Sequence, residues 1–247
     1  MRGLAKLAWV ETKIYLRQPE AFFFTLIFPL LLLFLFGTIY GNKPNPFFGG
    51  HGTVDASTPA YMAMIIASTG LLSIAIAVSS YREKGVLRRY RATPLRPSVI
   101  LASQIAVHLG MTVIGSALVV IAAKLVYGLR FGGRPGPFVL GFFLSSLSFF
   151  AGGFLVASLS RTARVAYTVG MVIYFPNLFL SGATFPKQMF PPVLRTINQV
   201  LPLTHVVSLL QGLWFGDPWS KHMTEVLVLG GLLVVGAILS AKTFRWE

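Results

Sequence analysis

Cysteine is missing from this chain of 247 residues, and acidic residues number only seven. The absence of cysteine excludes disulfides, thiolate zinc sites and cysteine nucleophiles. Charged residues of both signs make up 11% of the sequence, against about a quarter in a typical soluble domain. A soluble protein of this length could not cover its apolar core with so few charges. The composition therefore excludes an ordinary cytosolic protein and a disordered one.

Long apolar runs take the place of the missing charges: hydrophobic residues make up 55% of the chain, and the mean hydropathy is +0.72. A membrane core about 30 Å thick requires about 20 apolar residues of helix. Runs of that kind between successive charges predict an all-α polytopic membrane protein with six transmembrane helices. The predicted spans are residues 21–41, 59–81, 99–123, 138–160, 165–185 and 223–242.

The uncharged stretch between Arg195 and Asp217 differs from the six spans in its polar content. It contains Asn198, Gln199, Pro202, His205 and Gln211. Such residues suit backbone that enters the membrane partway, inside protein, better than a helix that faces lipid. We therefore predict extracellular re-entrant helices in residues 186–216, with a seventh span as the alternative.

Lysine and arginine number 21 against seven acidic residues, which gives a net charge of +14. Membrane proteins concentrate Lys and Arg in their cytoplasmic loops. With six spans and a cytoplasmic N-terminus, 14 of the basic residues lie in inside segments and seven in outside segments. This asymmetry predicts that both termini are cytoplasmic, and it accounts for the positive charge without nucleic acid as a partner.

The first residues of the chain have an amphipathic pattern. On a helical wheel the four cations fall within an arc of about 80°: they are Arg2, Lys6, Lys13 and Arg17. The pattern predicts an interfacial helix whose cationic face meets the anionic headgroups of membrane lipids. A solvated charged face is the alternative.

Motifs for catalysis and for energy conversion are absent from the sequence. Between their flanking charges the predicted spans hold no acidic or basic residue, which argues against proton-driven transport. No GxxxxGK[ST] loop, GxSxG turn or HExxH helix occurs. We therefore expect no catalytic residue and no metal site, and energy for transport must come from another polypeptide. An intramembrane enzyme that uses His108 or His205 is the alternative, although His108 is expected to be structural.

Residues 82–98, REKGVLRRYRATPLRPS, form a short loop dense in charge between the second and third spans. We predict a short helix with Glu83 in an early turn and the arginines later, as the helix dipole favours. We expect this helix to end at Thr93, because the residue before a proline, here Pro94, is disfavoured in the α region. Such a helix can dock into a groove of a soluble domain, but composition alone also fits a cytoplasmic loop without a partner.

The order of residues in this loop strongly resembles the cytoplasmic signature of type-2 ABC exporter permeases. In that family an acidic residue and a glycine open a coupling helix, and a small residue, Pro and Leu close it. A second resemblance is the run Ser181-Gly182-Ala183-Thr184-Phe185-Pro186, followed by Leu201-Pro202-Leu203-Thr204-His205. The resemblance covers nearly the whole chain as one permease domain, and it points to the drug and natural-product branch.

The resemblance implies partners as well as a fold. Two permease copies, identical or closely related, would form the pathway in a prokaryotic cell membrane. Two cytosolic ATPase subunits would bind ATP and Mg²⁺, and this chain would carry no cofactor. The implied coupling residues are Arg82, Glu83, Lys84, Gly85, Val86, Leu87, Arg88, Arg89, Tyr90 and Arg91. The implied re-entrant motif comprises Ser181, Gly182, Phe185, Pro186, Pro202 and His205.

The substrate pathway is expected between the two copies, with spans one, two and five lining it or forming the contact. Prolines in the spans free backbone groups that must face protein or water. The candidate pathway residues are Phe22, Phe23, Phe24, Pro29, Phe175, Pro176, Asn177 and Phe179; lipid contact and packing are the alternative. The expected cargo is a hydrophobic or amphipathic drug, natural product or lipid-like molecule. A polysaccharide or glycan permease and an ATP-independent channel or scaffold are the alternatives.

Overall fold

The computed structural model describes residues 12, 13, 15, 18–86 and 97–243, and these are almost entirely helical. Their β structure is a single isolated antiparallel bridge between Pro44 and Gly52. The α-helices are Pro19–Phe22, Phe28–Tyr40, Thr53–Ser68, Ala75–Glu83, Pro97–Tyr127, Pro135–Leu159, Ala163–Leu180, Pro192–Val200, Pro202–Phe215 and Met223–Thr243. Two π-helices, Phe23–Ile27 and Thr69–Ile74, and three 3₁₀-helices, Pro46–Phe48, Lys187–Met189 and Trp219–His222, complete the set.

Six of these helical segments are long and apolar enough to cross a membrane, and they are numbered here as spans one to six. They are Phe23–Tyr40, Thr53–Glu83, Leu101–Tyr127, Pro135–Leu159, Ala163–Leu180 and Trp219–Thr243. The prediction of an all-α polytopic membrane protein with six spans is confirmed. Between spans five and six, the helices Pro192–Val200 and Pro202–Phe215 meet at 89°, and they are called the bent pair below.

The largest departures from the predicted bounds are in spans two and five. Span two begins at Thr53 rather than at residue 59, and its first turn includes Asp55, which is only 6% exposed. Span five ends at Leu180 rather than at residue 185. Gly182, two residues later, has a φ of +89°, a conformation that stops a helix and that glycine adopts without strain.

Span two forms the centre of the bundle. It packs against spans one, three, four and five and against the second helix of the bent pair. In its most apolar stretch 94% of the residues are buried, compared with 28% in spans one and five and 17% in span six. Span six lies at the periphery, where it packs chiefly on span four.

Glycines allow the backbones of the central spans to touch. A Cβ added to Gly153 of span four would overlap the carbonyl oxygen of Gly70 in span two, and one on Gly170 of span five would lie 2.5 Å from the carbonyl oxygen of Leu71. Membrane helices associate without a hydrophobic driving force, because lipid is as apolar as their side chains. Close backbone approach, which only small residues permit, therefore determines which spans lie next to each other.

Span one begins with the π-helix Phe23–Ile27, and Pro29 follows it in the next helical turn. Phe28 donates its N–H to the carbonyl of Phe23, five residues earlier. The next π-type bond would join residue 29 to Phe24, but Pro29 has no N–H to donate. The Ser68 hydroxyl of span two donates to the Phe24 carbonyl instead, at 3.3 Å. The proline therefore frees a backbone acceptor, and this acceptor is satisfied by protein.

Candidate coupling and transport site

Arg82 ties the end of span two to the end of span four. Its guanidinium donates to the carbonyl oxygens of Ala157 at 3.2 Å and Ser158 at 3.4 Å. Those carbonyls belong to the last turn of span four, where helix geometry leaves them without intrahelical partners. A cation at a helix C-terminus is also stabilised by the helix dipole. The end of span two is therefore hydrogen-bonded directly to the end of span four.

Glu83 connects the same end of span two to span five. Its carboxylate accepts the backbone N–H of Ala163 at 2.9 Å, and Ala163 is the first residue of span five. An anionic acceptor at a helix N-terminus satisfies an unpaired N–H and complements the dipole. The expected place of Glu83, in an early turn of a separate loop helix, is wrong: Glu83 is the last residue of the span-two helix.

The chain changes direction immediately after Glu83. Lys84 caps the helix, and Gly85 has a φ of +64° with nothing within 4 Å of the position a Cβ would occupy. This geometry explains the glycine of the sequence motif by backbone conformation rather than by contact. Val86, the last residue described before the gap, is helical. The predicted coupling residues Leu87, Arg88, Arg89, Tyr90 and Arg91 lie outside the described residues, as does most of the predicted N-terminal helix.

Aromatic rings from spans one and five meet on one surface of the bundle. The Phe24 ring lies edge-on to the Phe175 ring at 6.3 Å and to the Tyr174 ring at 5.7 Å. Phe175 stacks with Phe179 at 6.1 Å, and Phe24 also contacts Phe23 at 5.2 Å. The structure therefore brings together four of the predicted pathway residues. We call Phe23, Phe24, Phe175 and Phe179 the aromatic surface.

The other predicted pathway residues have different environments. Phe22, just before the π-helix of span one, is 36% exposed, and Pro29 is buried in span one. Pro176 lies within span five. Asn177, its neighbour, is buried and donates to the carbonyl of Ile173 at 2.9 Å. Asn177 thus has a structural partner, and its second bond extends toward the bent pair.

The bent pair is held at the end of span five by amide side chains. The Asn177 side-chain oxygen accepts the N–H of Leu203 at 3.2 Å, in the first turn of the second helix, where Pro202 supplies the initial residue. Asn198 of the first helix donates to the carbonyl of Leu180. His205 bonds through its Nε2 to the carbonyl of Gln199 at 3.0 Å. Its ring therefore joins the two helices of the pair.

The loop from Ser181 to Lys187 packs on the bent pair. The Ser181 hydroxyl accepts the N–H of Ala183 at 3.2 Å, and Gly182 leaves room for the Lys187 side chain. Lys187 donates to the Ser208 hydroxyl at 2.7 Å. Burial lowers the pKa of Lys187 below its usual range, although Glu225 opposes this shift. Of the remaining motif residues, Phe185 is 43% exposed, and Pro186 precedes a 3₁₀ turn.

Sequence reasoning missed the polar contacts at the opposite end of span two. Asp55 accepts the side-chain N–H of Asn42 at 2.9 Å and the backbone N–H of Arg130 at 2.8 Å. Trp214 of the bent pair donates to the carbonyl of Arg130 at 3.0 Å. An acidic residue at the start of an apolar run, such as Asp55, is a usable sequence signal for such contacts. Tyr174 was also missed, although it precedes Phe175 directly.

The imidazoles considered for catalysis, those of His108 and His205, are bonded to backbone. His108 bonds through Nδ1 to the carbonyl of Gln104 at 2.8 Å, which fits the expected structural role. Ser146 and Ser148 of span four donate to carbonyls four residues earlier in their own helix. Ser148 also donates to the Leu229 carbonyl of span six at 2.7 Å, a contact between two membrane helices.

Comparison with known proteins identifies a family for this chain. The profile of the ABC-2 type transporter family matches residues 3–215. The inner membrane transport permease YhhJ of Escherichia coli is 25% identical over 188 residues, which cover 72% of this chain and 50% of that protein. The probable multidrug ABC transporter permease YbhS of Escherichia coli is 21% identical over 192 residues, covering 76% and 49%. The putative transport permease ycf38 of Porphyra purpurea is 26% identical over 235 residues, covering 92% and 79%.

The chain thus spans about half the length of the first two relatives. The family profile extends over most of the sequence and includes the span-two end, the aromatic surface and the bent pair. On this evidence the chain belongs to the ABC-2 type transporter family, as a multi-pass membrane permease.

Proposed function

We propose that this chain is the membrane-spanning permease subunit of an ATP-driven exporter. It works as a dimer whose two copies enclose the substrate pathway, and cytosolic ATPase subunits drive it through residues 82–98. The observation that carries the proposal is the connection at the end of span two. Arg82 and Glu83 join this most buried helix to spans four and five, directly before the segment that would meet the ATPase.

The connection supplies a mechanical route for coupling. Arg82 and Glu83 belong to the same helix that packs against four other spans. A push on residues 84–86 would therefore reach this helix through a turn of only two residues, Lys84 and Gly85. Rigid-body displacement of packed helices by about 1–2 Å is a known form of switching. Such a displacement would move spans four and five together with span two.

The aromatic surface supports an apolar or amphipathic cargo. Phe175 is 40% exposed and Phe179 43%, so both rings lie on the outer surface of span five, where a second copy can face them. An aromatic surface binds apolar molecules by area and binds cations through the ring faces. In the proposed dimer the cargo would contact these rings between the two copies.

A coupling assay tests the proposal directly. The variant Glu83→Gln keeps the size of the side chain but removes the charge that holds the N-terminus of span five. In liposomes that contain the permease and its co-purified ATPase, we expect ATP hydrolysis to continue while transport falls by about tenfold, within the usual range of coupling energies. Glu20→Gln removes an exposed carboxylate from the short helix Pro19–Phe22 before span one and should leave both rates unchanged.

Two outcomes of this assay would contradict the proposal. Equal transport by Glu83→Gln and Glu20→Gln would show that the hydrogen bond from span five to Glu83 is not needed for coupling. Transport of the cargo without any ATPase would establish an ATP-independent channel instead.

A substitution in the aromatic surface tests the cargo class. Phe175→Ala should raise the KM for an amphipathic aromatic dye and leave the melting temperature nearly unchanged, because this side chain is partly exposed. Leu227→Ala, at a position of span six with 68% exposure, serves as the control for the loss of apolar area. If Phe175→Ala left the KM for the dye unchanged and the permease transported an oligosaccharide, the proposal of an apolar cargo would be wrong.

Cysteine labelling tests the proposed orientation. The chain has no native cysteine, so a single introduced thiol reports one position. We expect Val86→Cys to react with an impermeant maleimide only from the cytoplasmic side and Pro218→Cys only from the outer side. Labelling of both from the same side would contradict six spans with cytoplasmic termini.

A further inference from the structure

Two neighbouring cavities lie where spans four and six end beside span two. The first, of about 730 Å³, is lined by Arg82, Glu83, Ser158, Leu159, Arg161, Lys242 and Thr243. The second, of about 360 Å³, is lined almost wholly by apolar side chains of spans three, four and six. We call them the cationic cavity and the apolar groove.

The cavities follow one another along the same two helices. Phe154 of the groove and Ser158 of the cationic cavity lie one turn apart on span four. Ser240 of the groove and Thr243 of the cavity lie about one turn apart on span six. The Ser158 and Thr243 hydroxyls are hydrogen-bonded at 2.7 Å, so the two helices are in contact where one cavity passes into the other.

The cationic cavity has positive charge that the described part of the chain leaves uncompensated. Its one carboxylate, Glu83, is engaged by the backbone N–H of Ala163. Arg82 donates to carbonyls of span four. Arg161 and Lys242 are exposed, and neither forms a salt bridge with any residue in the described ranges. The cavity can therefore receive an anion.

The apolar groove determines what kind of anion fits. Ile105, Phe150 and Leu233 are among its lining residues, and it lies against the sparsely buried span six, within the thickness of the membrane. In that position an acyl chain, not water, is the natural occupant. A molecule with an anionic head and an acyl tail is complementary to both cavities at once.

We propose that the cationic cavity and the apolar groove together bind one anionic phospholipid. Its phosphate lies between Arg161 and Lys242, and an acyl chain lies in the groove beside Phe154 and Ala237. Basic pockets between membrane helices bind anionic headgroups by the same charge attraction. The lipid would bridge the ends of spans four and six beside Arg82 and Glu83. This site is independent of the proposed transport function.

Native mass spectrometry of the full-length permease in detergent tests the site. The probes are dioleoyl phosphatidylglycerol, which is anionic, and dioleoyl phosphatidylcholine, which is zwitterionic. We expect one phosphatidylglycerol to be retained in preference to phosphatidylcholine. The double variant Arg161→Gln/Lys242→Gln should weaken its binding by about thirtyfold, because each cation near an anionic headgroup contributes about a fivefold gain in affinity.

Two further variants separate a specific site from general attraction. Arg164→Gln removes an exposed cation three residues from Arg161 that does not line the cavity, and it should keep the preference. Ala237→Phe fills the groove without changing charge, and it should weaken phosphatidylglycerol binding as well. The three substituted cations, Arg161, Arg164 and Lys242, are all exposed, so retained folding can be verified by gel filtration.

Three results would overturn the proposal. Equal retention of the two lipids would remove the charge selectivity. An equal loss in Arg164→Gln would show unspecific attraction to the basic surface. Competition by soluble glycerophosphate at the same concentration as the lipid would show that the cavity binds a free phosphate and that the groove adds nothing.

Discussion

Span two and span six are equally apolar, and yet they have opposite places in the bundle. Both have a mean hydropathy of 2.1 over their most apolar stretch, but 94% of that stretch is buried in span two and 17% in span six. The difference lies in small residues and close contacts. Span two meets the backbones of two neighbours, through Gly153 of span four and Gly170 of span five. Of the three glycines in span six, Gly236 lies against one neighbour, with an added Cβ 3.1 Å from Ala151 of span four, whereas Gly230 and Gly231 have nothing within 4 Å. Hydropathy identifies a span, and backbone contacts decide its position.

The largest expected effect comes from breaking the backbone contact of span two. Gly153→Ala places a methyl group against the carbonyl of Gly70, and neither backbone can move without shifting a whole helix. We expect a loss of stability of about 3 kcal/mol or more, at the upper end for overpacking. Thermal unfolding in detergent, followed by intrinsic fluorescence, measures the change.

Neighbouring glycines supply matched controls for this substitution. Gly152→Ala meets only the Leu71 side chain at 3.8 Å, and Gly231→Ala in span six meets nothing within 4 Å. Both should be neutral or slightly stabilising, because alanine favours the helix over glycine by about 1 kcal/mol. Equal melting temperatures for Gly153→Ala, Gly152→Ala and Gly231→Ala would show that close backbone packing does not distinguish span two from span six.

The second effect concerns the polar end of span two. Asp55→Ala leaves the N–H of Arg130 and the amide of Asn42 without their acceptor. A buried donor left unpaired costs about 1–3 kcal/mol. Asp55→Asn keeps one acceptor oxygen and should lose less. The same thermal unfolding measurement ranks the two variants, and a greater loss in Asp55→Asn would contradict the role of these hydrogen bonds.

A smaller effect is expected where span six joins the bundle. Ser148→Ala removes the bond from span four to the Leu229 carbonyl of span six. Hydrogen bonds between membrane helices contribute about 0.6 kcal/mol on average. Ser146 donates only within its own helix, so Ser146→Ala is the control and should unfold like the parent. If Ser148→Ala lost more stability than Asp55→Ala, the contacts of span six would matter more than those of span two, contrary to this account.

The smallest effect is a pH dependence at the surface before span six. Lys221 donates to the Asp217 carboxylate at 2.7 Å and holds the pKa of Asp217 below its usual 3.8. The carboxylate therefore stabilises the fold above that pH, and this contribution disappears as the pH falls below 3.8. Since an exposed ion pair contributes less than about 1 kcal/mol, Asp217→Asn should remove only a slight step in melting temperature between pH 5 and pH 3. A step that persists in this variant would exclude Asp217 as its source.

The sequence was sufficient for features that depend on composition along the chain. Runs of apolar residues between charges locate six spans, and the polar content near Asn198 and His205 distinguishes the bent pair from them. It was insufficient for features that depend on contact between distant segments. Glu83 caps span five, 80 residues away, and Asp55 binds Arg130, 75 residues away. Neither contact leaves a local pattern, because partners across a bundle share no fixed spacing.

The distance between spin labels on the span-two end and on span five tests the coupling proposal most directly. In the complex with its ATPase, labels at Val86→Cys and Val165→Cys within one copy report the connection through Glu83. Labels at Val172→Cys of both copies report the exposed face of span five. On ATP binding the account predicts that the first distance stays within about 2 Å while the second changes by more than that. A changed first distance with an unchanged second distance would contradict it.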